Sequence, residues 1–161
     1  MDKNVIILNG PINSGKSTIA RKLVDIFPDA IFIEGDNLEK RDGTLEQWIP
    51  TVLQAIVKEC ARVTNRTIFI AFPLRTEDWE YLCQCLNANV MCITLSPPLG
   101  VALSQRDSRR LEGWEVKRIQ EMYREGYQSR DFSRLIHNNG FEDACETARH
   151  IAAYLREVIV N

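Results

Sequence analysis

Short uninterrupted apolar runs alternate along this chain with longer stretches in which apolar residues recur every three or four positions. The first run, Val5-Ile6-Ile7-Leu8, is mostly β-branched and reads as a buried strand. Behind it, residues 18–27 set Ile19, Leu23, Ile26 and Phe27 on one helical face. Ala30-Ile31-Phe32-Ile33 reads as a second strand that stops at Glu34-Gly35-Asp36. Residues 45–63 then carry Leu45, Trp48, Ile49, Val52, Ile56, Cys60 and Val63 at helical spacing. A third strand covers residues 67–72 and is halted by Pro73. A helix through Trp79, Leu82, Cys83 and Leu86 leads to a fourth strand over residues 90–95, broken by Ser96-Pro97-Pro98. Two polar, arginine-rich helical stretches, 99–111 and 115–128, precede a fifth strand at 134–138. The last helix aligns Phe141, Ala144, Ala148, Ile151, Leu155 and Ile159. Such alternation predicts an α/β fold, a parallel sheet covered by helices on both faces, with ligands at the carboxyl ends of its strands.

Between the first strand and the first helix stands Gly10-Pro11-Ile12-Asn13-Ser14-Gly15-Lys16-Ser17, an intact G-x-x-x-x-G-K-[ST] sequence. The flanks supply the context this pattern needs: its backbone N–H groups converge on phosphates, and the helix that opens at Thr18 adds its positive N-terminal end. Lys16 reaches toward β- and γ-phosphates, and the Ser17 hydroxyl is placed for Mg²⁺. A glycine turn opening an ordinary helix is the alternative, and the matched flanks count against it. Gly10 to Thr18 are therefore the candidate nucleoside triphosphate site.

The strand-end rule draws attention to Asp36, just past the second strand and hence beside the phosphate loop. A carboxylate there orients or deprotonates a substrate hydroxyl, or holds the Mg²⁺ shell with Ser17; otherwise Asp36 caps a turn over residues 37–40. Arg75, after Pro73, is either an anion anchor for the acceptor or a surface cation at a helix start. Arg41 is a weaker candidate of the same kind. Arg106 and Arg110, four positions apart, would share a helical face in a segment also holding Arg109, Lys117, Arg118 and Arg124. Such a cluster suits a lid over the triphosphate, with Leu111-Glu112-Gly113-Trp114 as its interruption. A solvated, salt-bridged helix pair is the competing account, since Asp107, Glu112, Glu115 and Glu121 are interleaved.

Composition limits the partners. A chain of 161 residues implies one domain, residues 1–161. Its 45% hydrophobic and 26% charged content is that of ordinary globular proteins. A net charge of −2 speaks against nucleic-acid binding. No signal pattern precedes the first strand, and no apolar run approaches the roughly 20 residues that cross a bilayer, so no membrane partner and a cytoplasmic location are expected. The five cysteines (Cys60, Cys83, Cys85, Cys92 and Cys145) lack C-x-x-C pairing and have two histidines for company. They read as buried free thiols rather than a zinc site.

Nearly the whole chain resembles the small P-loop kinases of the nucleoside monophosphate kinase type, a group that includes shikimate, gluconate, adenylylsulfate and chloramphenicol-phosphorylating kinases. The resemblance rests on the loop at 10–17, the acid in Glu34-Gly35-Asp36, the arginines Arg106 and Arg110, and Asn138-Asn139-Gly140 before the last helix. It implies a three-layer fold with strand order 2-3-1-4-5, an arginine-rich lid at about 99–128 and an acceptor region at about 36–63. It further implies ATP as donor with Mg²⁺, Asn138, Asn139 and Gly140 near the adenine, and Lys16, Asp36, Arg106 and Arg110 in catalysis. Arg41, Trp48 and Arg75 are its acceptor-side candidates, Trp48 being otherwise a core residue. The third strand ends Ala71-Phe72-Pro73-Leu74-Arg75. It has neither the glycine run of shikimate kinases nor the Asp-Gly-Phe-Pro-Arg of adenylate kinases. No acid closes that strand, which leaves Asp36 to assist Ser17 with the metal. Gly35-Asp36 is similar to kinases that phosphorylate a hydroxyl. The resulting expectation is an ATP-dependent kinase of a small metabolite or antibiotic, monomeric or homodimeric. A nucleoside monophosphate kinase-like enzyme and a non-catalytic nucleotide-binding module are the alternatives. The guanine-reading Asn-Lys-x-Asp of GTPases is missing.

Overall fold

The computed structural model describes residues 3–105 and 110–159. Strands β1 (Asn4–Asn9), β2 (Ala30–Glu34), β3 (Thr67–Ala71), β4 (Asn89–Leu95) and β5 (Leu135–His137) form one parallel sheet in the order β2-β3-β1-β4-β5. The helices among the described residues are α1 (Lys16–Ile26), α2 (Leu45–Arg62), α3 (Thr76–Cys85), α4 (Leu99–Ala102), α5 (Gly113–Glu125) and α6 (Ala144–Ile159). β1 lies at the centre, and its continuous apolar run is explained by burial on both sides. Val5 and Ile7 enter the core beneath α2 and α3, together with Val52, Ile56 and Leu82. Ile6 and Leu8 enter the opposite core beneath α1 and α6, with Ile19, Leu23, Ile151 and Leu155. The fully buried β1 therefore fixes where its carboxyl end, and the loop after it, emerges.

Most elements follow the periodicity to within a residue or two. The long α2 starts where Thr44 and Gln47 exchange hydrogen bonds in a capping box, Gln47 N to Thr44 Oγ1 at 3.3 Å and Thr44 N to Gln47 Oε1 at 3.1 Å. Four expectations need correction. The helix expected over 99–111 stops at Ala102, because Ser104 turns its Oγ onto the Val101 carbonyl at 2.6 Å and only Ala102 of α4 is buried. Arg110 is exposed on non-helical backbone, so the helical face it was to share with Arg106 does not form around it; Arg106 lies outside the described residues. The final helix starts at Ala144, capped by Asp143 Oδ1 on the Glu146 N–H at 2.8 Å, and Phe141 stays 86% exposed. Finally, Cys60 and Cys92 are buried, but Cys83, Cys85 and Cys145 are exposed on helix α3 and α6 surfaces. Among the described residues, no helix is long and apolar enough to cross a membrane.

Candidate functional site

At the carboxyl ends of the strands, a cleft of about 720 Å³ opens between the loop after β1, the end of β2 and the turn before α6. Ile12, Asn13, Gly15, Lys16, Ser17 and Thr18 line it, while Gly10, Pro11 and Ser14 are buried behind its wall. Gly10 has φ 151°, and a Cβ there would stand 2.7 Å from the Leu95 carbonyl and 2.6 Å from Ser14 Oγ, so only glycine lets the chain leave β1. Asn13 takes the left-handed conformation at φ 64° and is held there by its Nδ2, which donates to the carbonyls of Ala102 and Ser104 at 2.8 and 3.1 Å. The Lys16 ammonium donates to the carbonyls of Gly10 and Pro11 at 2.8 and 2.7 Å, which holds it over the loop. Ser14 Oγ is buried without a hydrogen-bond partner, an orphaned hydroxyl inside a loop otherwise fully braced.

Two carboxylates face that loop. Ser17 Oγ donates to Glu34 Oε2 in a short hydrogen bond, and Glu34 and Asp36 both line the cleft. Gly35 between them is forced by packing, since a Cβ would come within 2.7 Å of the Phe72 ring. Asp36 lies inside a single 3-10 turn at Gly35–Asn37, rather than capping a turn at 37–40. The carboxylate on Ser17 is thus that of Glu34, where the sequence reading assigned Asp36 to the metal. Burial pushes the Glu34 carboxyl above its ordinary range and the charge of Asp36 adds to the rise, against the Ser17 hydrogen bond and the Lys16 charge. A hydroxyl and carboxylate oxygens form a hard donor set that fits Mg²⁺.

The loop is braced from a distance. Asn9, fully buried at the end of β1, donates to Thr94 Oγ1 at 3.0 Å and the Tyr127 carbonyl at 3.1 Å, and accepts from the Leu74 N–H at 2.7 Å. Asn139 is buried and donates to the Ser14 carbonyl at 2.8 Å, and Gly140 lies beside it on the cleft. Asn138 is exposed, its Oδ1 accepting from Gly140 N at 3.0 Å. Val101, Ser104, Trp114 and Glu115 close the far side of the cleft. Asn9 and Glu34 went unassigned in the sequence. The signal for Asn9 is a polar residue ending an apolar strand directly before the glycine loop; for Glu34 it is the strand-end position.

The acceptor-side candidates lie elsewhere. Trp48 is a core residue, 9% exposed, its ring tilted against Phe72 at 6.2 Å and its Nε1 donating to the Glu39 carbonyl at 3.1 Å. Arg75 caps α3: its guanidinium binds Asp78 at 2.8 Å and Glu77 at 2.9 Å, and Asp78 is only 2% exposed. Arg41 is exposed beside Gln47 and Thr51, in a hollow apart from the main cleft. On α5, Arg118 is paired with Glu121 and Glu125.

No family model matches the chain, and no curated protein matches it. Solved structures do. A gluconokinase from Sinorhizobium meliloti 1021 superposes with a TM-score of 0.74 at 17% identity, covering 96% of this chain and 93% of its own. The APS kinase CysC of Mycobacterium tuberculosis, solved with AMPPNP and APS, gives 0.69 at 13% identity over 96% and 98%. The tunicamycin resistance protein of Deinococcus radiodurans gives 0.62 at 19% identity over 95% of both chains. The chain shares the fold of these proteins, two of which are small-molecule kinases, and at such identities the likeness speaks for the fold alone.

Proposed function

We propose that this protein is an ATP- and Mg²⁺-dependent kinase that transfers a phosphoryl group to a hydroxyl of a small metabolite or antibiotic. The observation that carries the reading is the convergence of Gly15–Thr18, Glu34 and Asp36 on one cleft at the strand ends. A gluconokinase and an APS kinase share the fold, which supports the class and leaves the acceptor open. The loop amides and the N-terminus of α1 bind the phosphates, and Lys16 exchanges its loop carbonyls for a phosphate oxygen. Ser17 and Glu34 are the residues that would hold Mg²⁺. When bound, that ion supplies neutralisation of charge on the β- and γ-phosphoryl oxygens. Asp36, exposed on the cleft, orients the acceptor hydroxyl and takes its proton. Asn139 and Gly140 border the adenine. Residues 36–63 form the acceptor side, and residues 99–128, with Arg106 and Arg110, form the lid. The protein works in the cytoplasm as one domain, monomeric or dimeric, without nucleic acid.

Two measurements test this. MgATP at 100-fold above its Kd should stabilise the fold by about 2.7 kcal/mol. A melting temperature indifferent to millimolar MgATP would overturn nucleotide binding itself. Asp36→Asn should lower kcat on the order of 10²- to 10⁴-fold with MgATP affinity nearly unchanged, whereas Glu34→Gln should raise the Mg²⁺ concentration needed for half-maximal rate. The reverse pattern would exchange the two roles.

A further inference from the structure

The chain has two histidines, and the fold brings both onto one carboxylate. His137 ends β5, Glu142 lies in the turn that follows, and His150 stands two turns into α6. His137 Nε2 pairs with Glu142 Oε1, and His150 Nδ1 lies 2.9 Å from Glu142 Oε2. The imidazole rings are 5.7 Å apart at 50°, and one donor atom from each of the three residues falls within 4.8 Å of the others. Thr147, 1% exposed, donates its hydroxyl to Glu142 Oε1 at 2.8 Å and fixes the carboxylate from behind. Core packing does not call for this arrangement, since the His150 side chain is 60% exposed while Glu142 is only 14% exposed.

We propose that His137, Glu142 and His150 form a binding site for a divalent transition-metal ion of the zinc class, distinct from the oxygen-lined Mg²⁺ position at Ser17. The donor set decides the class. Two imidazole nitrogens and one carboxylate suit Zn²⁺, Co²⁺ or Ni²⁺, whereas Mg²⁺ and Ca²⁺ take oxygen ligands. Thr147 supplies the outer hydrogen bond that orients a metal-binding carboxylate. Three protein ligands leave a fourth position open, on the side where His150 meets solvent. The place in the fold gives the ion a consequence. Glu142, Thr147 and Asn139 all line the nucleotide cleft, and Asn139 holds the Ser14 carbonyl, so metal would pin the turn that braces the phosphate loop.

The site is tested without nucleotide, which keeps its outcome separate from that of the kinase reading. The full chain, stripped with EDTA and dialysed, is titrated with Zn²⁺ by calorimetry and with Co²⁺ by visible absorption. The variant Cys83→Ser/Cys85→Ser/Cys145→Ser removes the exposed thiols that compete as ligands. In that background one equivalent of Zn²⁺ should bind, and Co²⁺ should show d–d bands without thiolate charge transfer. His150→Ala, at an exposed position that the fold tolerates, should abolish stoichiometric binding, and Thr147→Val should weaken it about 10- to 100-fold. Excess Mg²⁺ should not displace the ion. Absence of one-equivalent Zn²⁺ binding in the serine variant would overturn the proposal, leaving a hydrogen-bonded His-Glu-His triad only. Binding unchanged by both His150→Ala and His137→Gln would overturn it equally.

Discussion

The loop after β1 and the region that holds Lys40, Arg41, Trp48 and Arg75 are built differently. The loop after β1 is pinned by the side chains of Asn9 and Asn13, and Gly15, Lys16, Ser17 and Thr18 line the cleft. In the second region, the residues with the most obvious binding chemistry are engaged by the fold. Trp48 fills core against Phe72, and Arg75 neutralises the buried Asp78. The exposed residues there, Lys40 and Arg41 among them, sit on loop without such bracing. Under the proposed function the contrast has a reason, since binding a triphosphate demands fixed geometry for several charges at once. A small acceptor is distinguished by a few contacts, and these are carried on loops that vary without endangering the core.

This contrast can be broken by substitution, starting where the effect is largest. Lys16→Ala should lower kcat on the order of 10²- to 10³-fold, the loss typical of one charge-stabilising donor, while the apo melting temperature stays close to native. Near-native turnover would place the donor site elsewhere. Asn9→Ala should act oppositely, through stability. It orphans the buried Leu74 N–H and frees Thr94 and the Tyr127 carbonyl, a loss of about 3 kcal/mol visible in urea unfolding. A stable Asn9→Ala protein would show the brace to be dispensable.

Arg75→Ala comes next and decides between fold and ligand. Removing the partner of buried Asp78 should cost about 1–3 kcal/mol in apo stability and leave the acceptor KM alone. Unchanged stability with a raised KM would return Arg75 to the acceptor site. Arg41→Ala should shift stability least, within about 0.5 kcal/mol, so any change in acceptor KM would read directly as lost recognition. A thiol-reactive probe at neutral pH adds a check on the core: Cys83, Cys85 and Cys145 should label rapidly. Cys60 and Cys92 should wait for unfolding, since burial pushes their thiols up to about 11 and about 12.

Sequence by itself determined the strand and helix order, and from it the parallel sheet, because both periodicities are local and each apolar run is short enough to read unaided. It also marked out the loop after β1, eight consecutive residues in which steric limits act at single positions, as the 2.7 Å approach at Gly10 illustrates. Only the tertiary structure decided that Glu34 meets Ser17, since Glu34 and Asp36 lie two positions apart at the same strand end and only the turn at Gly35 sets their directions. It alone revealed the braces, which join residues 85, 118 and 125 positions apart. It also showed Arg75 paired with buried Asp78, and Trp48 packed on Phe72 while it walls the hollow that holds Arg41. Bonds of that separation follow from which strands lie side by side, and no window along the chain contains both partners. The same reason hid the meeting of His137, Glu142 and His150, which a strand end, a turn and a helix face bring together.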